Sequence, residues 1–230
     1  MGIDTTAAST AELAGARAYS RTWLPVYDLY VLGFNNPFVW RCPTRHLRAL
    51  YDGNISNDHL DVGVGTGYFL RRATYPSTHP RITLVDLSEH ALTVTADRLR
   101  ARGLDPEAYI GSVLQPLPVE PRRYGSVAAN LLMHCVPGDW DSKGIAFAHI
   151  ADALAGSGVF FGSTVLNVGV PSNWLSRATS RAFNSRGIFH NETDDLEGLR
   201  SALEREFSVV DIHMRGSMAL WTARHPRRER

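Results

Sequence analysis

Apolar residues follow two patterns, short continuous runs and longer stretches with helical spacing. From about residue 58 the short runs alternate with the helical stretches. HLDVGV at 59–64 is the first short run, and a helical stretch, SEHALTVTADRLRARG, occupies 88–103. Ser88 is a preferred N-cap residue and Gly103 a preferred helix terminator, so both ends of this stretch support a helix. Strands that alternate with helices predict a parallel sheet covered on both faces, which is a doubly wound α/β fold.

The pattern predicts seven strands, of which the last two run in opposite directions. The strands are expected at 59–64, 81–87 and 107–113, within 124–135, and at 158–166, 207–214 and 217–224. Helices are expected at about Thr66–Ala73, 88–103 and 140–156, the last ending on glycine, and over much of 172–205 with a loop near 187–191. Because only a short turn at Arg215 and Gly216 separates the last two strands, that pair should be antiparallel.

Composition and charge narrow the picture to one globular domain over residues 1–230. The chain is 44% hydrophobic and 20% charged with a net charge of +1, and no apolar run has the roughly 20 residues of a membrane span. Near-neutral charge argues against nucleic-acid binding, and the first 20 residues lack the pattern of a secretory signal. The two cysteines have no CxxC or zinc-site spacing, so we expect a cytoplasmic protein.

Three glycines, Gly63, Gly65 and Gly67, follow the first predicted strand. Glycine inside an element costs about 0.5–1 kcal/mol, so such a cluster indicates that the backbone passes close to something else. The spacing is GxGxG, unlike the GxGxxG that cradles the pyrophosphate of a dinucleotide. Asp86 ends the next strand, where a carboxylate accepts both hydroxyls of a ribose. Together these features predict an adenosine-like ligand without requiring a diphosphate.

Five stretches in order resemble the successive motifs of class I S-adenosylmethionine-dependent methyltransferases. They are LDVGVGTG at 60–67, LVDLS at 84–88, YIGSVLQPLP at 109–118, SVAANLLMHCVP at 126–137 and GSGVFFGSTVL at 156–166. The resemblance covers about residues 45–225. It implies a Rossmann-like, seven-stranded, mostly parallel sheet with one reversed strand and helices on both faces. It also implies S-adenosyl-L-methionine as the cofactor and methyl transfer to a small molecule.

Carried over residue by residue, the resemblance implies a cofactor site at the carboxyl ends of the strands. The methionine part would be lined by Asp61, Gly63, Gly65, Gly67 and Asn130. Asp86 would hold the ribose hydroxyls, and Leu87 would pack on the adenine. Ser112 and Val113 would cap the edge of the adenine. Many relatives have an aspartate at the position of Ser112, so here the hydroxyl or the backbone would make that contact.

His134 and Tyr27 are the candidate catalytic residues. In this family the position of His134 often faces the transferred methyl group, and histidine titrates near neutral pH, so it is a candidate general base. The alternative is a histidine held by a backbone carbonyl that only shapes the pocket. Tyr27 resembles a tyrosine that often contacts the methyl group or the carboxylate of the cofactor. No arrangement of acids resembles a magnesium site, so no metal is expected.

The resemblance further implies that the N-terminal helices, residues 1–50, form a lid over a core at 51–225. The charge of the last residues predicts a basic tail at 226–230. The segment 23–40 holds six aromatic residues, which favours a flat or hydrophobic small-molecule acceptor, such as an intermediate of secondary metabolism. The candidate acceptor-binding residues are Tyr30, Phe34, Trp40, Asn167, Trp174, Phe189 and His190.

Alternatives stay open for both the aromatic segment and the function. The aromatic residues of 23–40 would equally suit packing on the core or a contact in a homodimer. A protein that binds the cofactor without methylating anything is the second function that the motifs permit. The acceptor atom, whether oxygen, nitrogen, carbon or sulfur, does not follow from the sequence.

Overall fold

The computed structural model describes residues 35–227, which leaves Tyr27, Tyr30, Phe34 and most of the predicted lid outside the described part. The helices are α1 (Thr44–Asn54), α2 (Glu89–Arg100), α3 (Trp140–Lys143), α4 (Ile145–Ala153), α5 (Trp174–Asn184) and α6 (Leu196–Glu206). The strands are β1 (Asp58–Val62), β2 (Arg81–Asp86), β3 (Glu107–Ile110), β4 (Tyr124–Asn130), β5 (Leu154–Val165), β6 (Phe207–Arg215) and β7 (Met218–Pro226). No helix between residues 35 and 227 is long and apolar enough to cross a bilayer.

The seven strands form one sheet in the order β3-β2-β1-β4-β5-β7-β6. The first five strands of the chain pair in parallel, whereas β7 runs antiparallel to both β5 and β6. The predicted sheet with one reversed strand near its edge is therefore confirmed. Because β1 lies between β2 and β4, the strand order reverses beside it, and a ligand is expected at the carboxyl ends of these strands.

Consecutive residues of β5 bury their side chains on opposite faces of the sheet. Phe160 packs with Phe147 of α4 and Leu203 of α6 on one face. Phe161 packs with Tyr51 of α1 and with α2 on the other face. Side chains alternate along a strand, so an uninterrupted apolar run such as VFF requires cover on both sides. The helices on both faces of the sheet provide that cover.

The sequence predicts two boundaries in this part of the fold: the end of the lid at residue 50 and the start of the helix at 88–103. α1 runs through position 50, and its Leu47 and Tyr51 are buried against the sheet. α2 begins where the sequence predicts, because the Ser88 hydroxyl oxygen accepts a hydrogen bond from the backbone N–H of Ala91 at 3.2 Å. Gly103 follows the end of that helix with φ of 77°.

The helix predicted at Thr66–Ala73 is wrong. This segment holds only a 3₁₀ turn at Leu70–Arg72. Gly67 has φ of 66°, whereas a right-handed helix needs φ of about −63°, so no helix can pass through it. A Cβ atom on Gly67 would lie 2.6 Å from Cγ2 of Thr95, so the missing side chain lets the turn pack directly on α2.

The helix predicted at 140–156 is divided in two and ends early. α3 ends at Lys143 and α4 begins at Ile145, with Gly144 between them. A Cβ atom on Gly144 would lie 2.5 Å from the carbonyl oxygen of Trp140 and 3.3 Å from Cβ of Ala202, so the chain is tightly packed at this break. Leu154 already pairs with Tyr124 of β4, which is why β5 starts before the predicted position 158.

Gly67→Ala should lower the free energy of unfolding more than Gly103→Ala, which is the matched control. Both glycines have positive φ, 66° and 77°, and each substitution costs about 1–2 kcal/mol of backbone strain. Only the Cβ at Gly67 would also overlap a neighbour, Thr95, which adds about 1–3 kcal/mol, whereas nothing lies within 4 Å at Gly103. Chemical denaturation measures both losses, and equal losses would contradict the packing role of Gly67.

Candidate functional site

A cleft lies over the carboxyl ends of β1, β2 and β4, where the strand order reverses. It is lined by Val62, Gly63, Gly65, Val85, Asp86, Leu87, Gly111, Ser112, Val113, Leu131, Leu132, Cys135, Val136 and Pro137. The structure thus brings six predicted cofactor-binding residues together: Gly63, Gly65, Asp86, Leu87, Ser112 and Val113. Among the described residues, no group of three or more His, Cys, Asp and Glu side chains is placed to hold a metal ion.

Asp86, the last residue of β2, is the acid of the cleft. Its Oδ1 accepts a hydrogen bond from the backbone N–H of Ser88 at 2.8 Å, and its Oδ2 accepts one from Gly65 at 3.4 Å. Burial raises the pKa of this carboxyl group to about 6, although the backbone N–H of Ser88 opposes the shift. A carboxylate has about four lone-pair positions, so Asp86 retains capacity to accept hydrogen bonds from hydroxyl groups in the cleft.

The first turn of the cleft depends on Gly63, which has φ of 74°. Its backbone N–H donates to the carbonyl of Val85 at 2.8 Å and ties the turn to β2. A Cβ atom here would lie 2.7 Å from Cδ1 of Leu132, a residue that also lines the cleft. The glycine therefore permits a close approach between the turn after β1 and the segment after β4, and both walls of the cleft depend on it.

Asp61 and Gly67 do not line the cleft, in contrast to the expectation from the sequence. Asp61 faces the core, where the Tyr51 hydroxyl donates to its Oδ2 at 2.5 Å and Nε2 of His59 lies 3.5 Å from the same oxygen. Because side chains alternate along β1, Val62 reaches the cleft and Asp61 points to the other face. Gly67 packs on Thr95, as described above. Asp61 therefore anchors β1, and Gly67 lets the turn after β1 pack on α2, both outside the cleft.

Asn130, at the end of β4, is buried one residue before the lining residue Leu131. Its Oδ1 accepts a hydrogen bond from the Ser163 hydroxyl of β5. Its Nδ2 has no hydrogen-bond partner in the described part of the chain. A buried amide nitrogen without an acceptor is unfavourable, so this nitrogen is suited to a polar ligand group near the end of β4.

His134 lies in the 3₁₀ turn Met133–Cys135 after β4, where it is buried and held by β5. Its Nδ1 lies 3.3 Å from the backbone nitrogen of Val165 and 3.4 Å from the hydroxyl oxygen of Thr164. Burial, together with the charge of Lys143, lowers the pKa of His134 to about 3, so the ring is neutral at physiological pH. A backbone N–H can only donate, so Nδ1 carries the lone pair and the single ring proton sits on Nε2. The ring can therefore donate a hydrogen bond but has no free lone pair to receive a proton.

Two predicted acceptor-binding residues pack around His134. The Phe189 ring lies 4.3 Å from the His134 ring, edge to face, and 5.9 Å from the ring of Trp40. Both aromatic residues are buried in one cluster with Val165 of β5. The backbone N–H of His190 donates to the carbonyl of His134 at 2.7 Å. The structure thus brings Phe189 and His190 into contact with His134 and places Trp40 against Phe189, at the ends of β4 and β5.

A second cavity, of about 200 Å³, lies at the carboxyl end of β5 and includes Trp40 and Asn167 in its lining. Leu166, Val170 and Ser217 line the same side, and α5 forms the other. Trp174, also predicted to bind the acceptor, is 74% exposed at the start of α5 and lines neither the cleft nor this cavity. Of the three predicted residues in this region, the structure brings only Trp40 and Asn167 together.

An ion pair between Lys143 and Asp194, which is not evident from the sequence, holds the loop that carries Phe189. Nζ of Lys143 lies 2.5 Å and 2.6 Å from the two carboxylate oxygens, and both side chains are fully buried. Lys143 also donates to the carbonyl of His190 at 3.3 Å. Burial lowers the pKa of Lys143 and raises that of Asp194 to about 6. The sequence offers little signal for this pair, because Lys143 ends the polar segment WDSK and its partner is 51 residues away.

Comparison with known proteins places this architecture among enzymes. The sequence profile of a family described as a methyltransferase domain matches residues 60–158. The chain is 40% identical to demethylluteothin O-methyltransferase of Streptomyces thioluteus over 96% of this chain and 98% of that protein. It is 39% identical to the physcion biosynthesis cluster O-methyltransferase of Aspergillus chevalieri over 93% of this chain and 96% of that protein.

Among solved structures, the fold is similar to geranyl diphosphate C-methyltransferase of Streptomyces coelicolor A3(2), in complex with Mg²⁺, geranyl-S-thiolodiphosphate and S-adenosyl-L-homocysteine. The TM-score is 0.66 over 95% of this chain and 99% of that chain, with 14% sequence identity. At this low identity the likeness shows the shared fold.

The side chain of His134 should remain neutral, with its proton on Nε2, down to pH 5. The reason is its burial, which holds its pKa at about 3, below the value of about 6.5 for an exposed histidine. Long-range ¹H–¹⁵N NMR spectra at pH 7 and pH 5, with the signals assigned by their loss in His134→Asn, measure the tautomer and the charge directly. A ring that protonates between pH 6 and 7, or one with its proton on Nδ1, would contradict the assignment.

Proposed function

Because this chain belongs to the class I S-adenosylmethionine-dependent methyltransferases, we propose that its methyl acceptor is an oxygen atom of a small aromatic or hydrophobic molecule of secondary metabolism. The observation that carries the proposal is the 40% identity to an O-methyltransferase over 96% of this chain. The aromatic cluster of Trp40, Phe189 and His134 at the ends of β4 and β5 supports a flat acceptor.

The residues of the cleft fit the cofactor S-adenosyl-L-methionine. Asp86 has free acceptor positions for two ribose hydroxyls, and Leu87 supplies an apolar surface beside it for the adenine. The unpartnered Nδ2 of Asn130 fits an oxygen of the amino-acid part of the cofactor. Gly63 lets Leu132 approach the turn after β1, so the two residues together shape the cleft at the end of that strand.

For methyl transfer, the protein must mainly align the acceptor oxygen with the methyl group and exclude water from the reacting atoms. Bound in the cleft, the cofactor would supply a methyl group on a positively charged sulfur for transfer to the acceptor oxygen. Leu131, Leu132 and Val136 line the cleft on the β4 side and would keep water from the reacting atoms. Holding the oxygen in line with the methyl group provides much of the rate enhancement.

We do not assign His134 the role of general base. Its Nδ1 is engaged by the backbone N–H of Val165, and Nε2 carries the ring proton, so the ring has no free lone pair for the acceptor's proton. These contacts favour the alternative role, a histidine held by the backbone that shapes the site. An acceptor with an acidic phenol or enol fits such a site, because it releases its proton to solvent without a protein base.

Binding of S-adenosylhomocysteine should weaken as the pH falls through about 6. Burial raises the pKa of Asp86 above the ordinary value of 3.8, so the carboxylate becomes protonated near pH 6 and loses acceptor capacity for the ribose hydroxyls. Calorimetry at pH 5 and pH 7.5 measures the change. Asp86→Asn should bind roughly tenfold to a hundredfold more weakly at pH 7.5, since a hydrogen bond to a charged group contributes about 1.5–3 kcal/mol.

The same variant provides the control for this pH dependence. Asp86→Asn has no ionisable group at the position, so its affinity should change little between the two pH values. A pH dependence of equal size in the wild type and in Asp86→Asn would show that another group titrates. Equal affinity of the two proteins at pH 7.5 would remove Asp86 from the ribose site.

Methyl transfer itself is tested with methyl-labelled S-adenosylmethionine and acceptor panels matched in size. Phenols and enols should become labelled, whereas the corresponding anilines and thiophenols should react at least tenfold more slowly, because the proposed acceptor is oxygen. Asp86→Ala is the negative control for label transfer. Preference for nitrogen or sulfur would overturn the oxygen assignment. Saturable cofactor binding without transfer to any panel would favour the second function, cofactor binding without methylation.

A further inference from the structure

Two arginine side chains on one face of α5 line the second cavity and make few hydrogen bonds within the described residues. Arg177 and Arg181 are four residues apart, so both lie on the helix face that lines this cavity. Within the described residues, the Arg177 guanidinium bonds only to Ser172, at 3.2 Å and 3.4 Å, and the Arg181 guanidinium has no hydrogen bond or ion pair. Glu192 lines the same cavity and pairs with neither arginine, so two cations and one anion give the lining a net charge of +1.

The hydroxyl and amide side chains of this cavity already have partners within the protein. The Ser180 hydroxyl donates to Oδ1 of Asn167 at 3.1 Å. The Asn184 amide donates to the Ser180 carbonyl and to Oδ1 of Asn191, both at 2.9 Å. The two guanidinium groups are therefore the strongest donors left for a ligand. Each has five N–H donors in a planar arrangement that matches a carboxylate or another anionic oxygen.

The position of the cavity relates it to the cofactor cleft. The cleft includes Leu131 and Leu132, which follow β4, and the cavity includes Leu166 and Asn167, which follow β5. β4 and β5 are paired neighbours in the sheet, and neighbouring strands lie about 4.8 Å apart. A small aromatic molecule with its nucleophilic oxygen at the end of β4 is long enough to reach the end of β5.

We propose that the second cavity binds the acidic end of the methyl acceptor, a carboxylate or an ionised hydroxyl group, through Arg177 and Arg181. The inference rests on the proposed function, because it identifies the ligand of the cavity as the acceptor. It adds a substrate class: a flat molecule that carries a nucleophilic oxygen at one end and an anionic oxygen at the other. Charge-assisted hydrogen bonds to guanidinium groups select such a molecule over its neutral counterpart. Glu192 opposes the anion and limits its affinity.

The probes are 4-hydroxybenzoate and its neutral counterpart 4-hydroxybenzamide, which differ in the charge at one end of the ring. Their binding is measured by ligand-observed NMR with the protein saturated with S-adenosylhomocysteine, so that the cofactor cleft is occupied. We expect 4-hydroxybenzoate to bind roughly tenfold more tightly, and to lose that advantage in Arg181→Ala and Arg177→Ala. Glu192→Gln should strengthen its binding, because the variant removes the one acidic side chain among the described residues that line the cavity.

Arg186→Ala is the matched control, because Arg186 follows the end of α5, bonds to the carbonyl of Ala182 and lines neither the cleft nor the cavity. It should leave the binding of both probes unchanged. Equal affinity for the two probes, or the same affinity for 4-hydroxybenzoate in Arg181→Ala and Arg186→Ala, would overturn the proposal. Weakening of the 4-hydroxybenzoate interaction between low and high salt would support it, since the arginines are exposed.

Cofactor binding separates the failure of this inference from failure of the proposed function. All four variants should bind S-adenosylhomocysteine like the wild type, because none of their positions lines the cleft. If the cofactor product binds and label is transferred to phenols while the arginine variants have no effect, only the acidic-end subsite is rejected. If the folded wild-type protein does not bind S-adenosylhomocysteine, the proposed function is rejected together with this inference.

Discussion

The carboxylate of Asp86 joins the two turns on which the cofactor cleft depends. One oxygen accepts from the N–H of Gly65, in the turn after β1, and the other accepts from the N–H of Ser88. Ser88 in turn caps α2. Asp86 thus holds the turn after β1 and the segment that begins α2, and it also keeps acceptor positions for a ribose. Burial disfavours its charge, and the backbone N–H groups offset part of that cost.

On the acceptor side, the loop between α5 and α6, which carries Phe189, is held in place by buried polar contacts. Lys143 and Asp194 fix one end of this loop, and the Asn191 side chain donates to the carbonyl of Val165 at 2.9 Å within β5. These contacts hold Phe189 against His134. Breaking a buried pair by removing one partner costs about 3–5 kcal/mol, so the shape of the aromatic cluster depends on groups that touch no ligand.

The sequence predicted the sheet well, because each strand is an apolar run and the glycine turn and Asp86 stand at readable spacings. It could not predict features set by contacts between distant residues. The partner that holds the Asp61 carboxylate in the core is Tyr51 of α1, a contact between two elements. The missing helix after β1 depends on the backbone angle of Gly67 and on Thr95. The proton position on His134 depends on the N–H of Val165, which no pattern of apolar residues reveals.

The reversed strand has a consequence for how the chain acquires its structure. β7 is the last strand in sequence, yet it lies inside the sheet between β5 and β6, and its Trp221 is buried in the core. Ser217, just before it, donates its backbone N–H to the carbonyl of Trp40 at 3.0 Å. During synthesis, the backbone groups on one edge of β5 therefore stay unpaired until β7 has emerged. Because β6 pairs only with β7 in this sheet, it can join the other strands only after β7 has paired with β5.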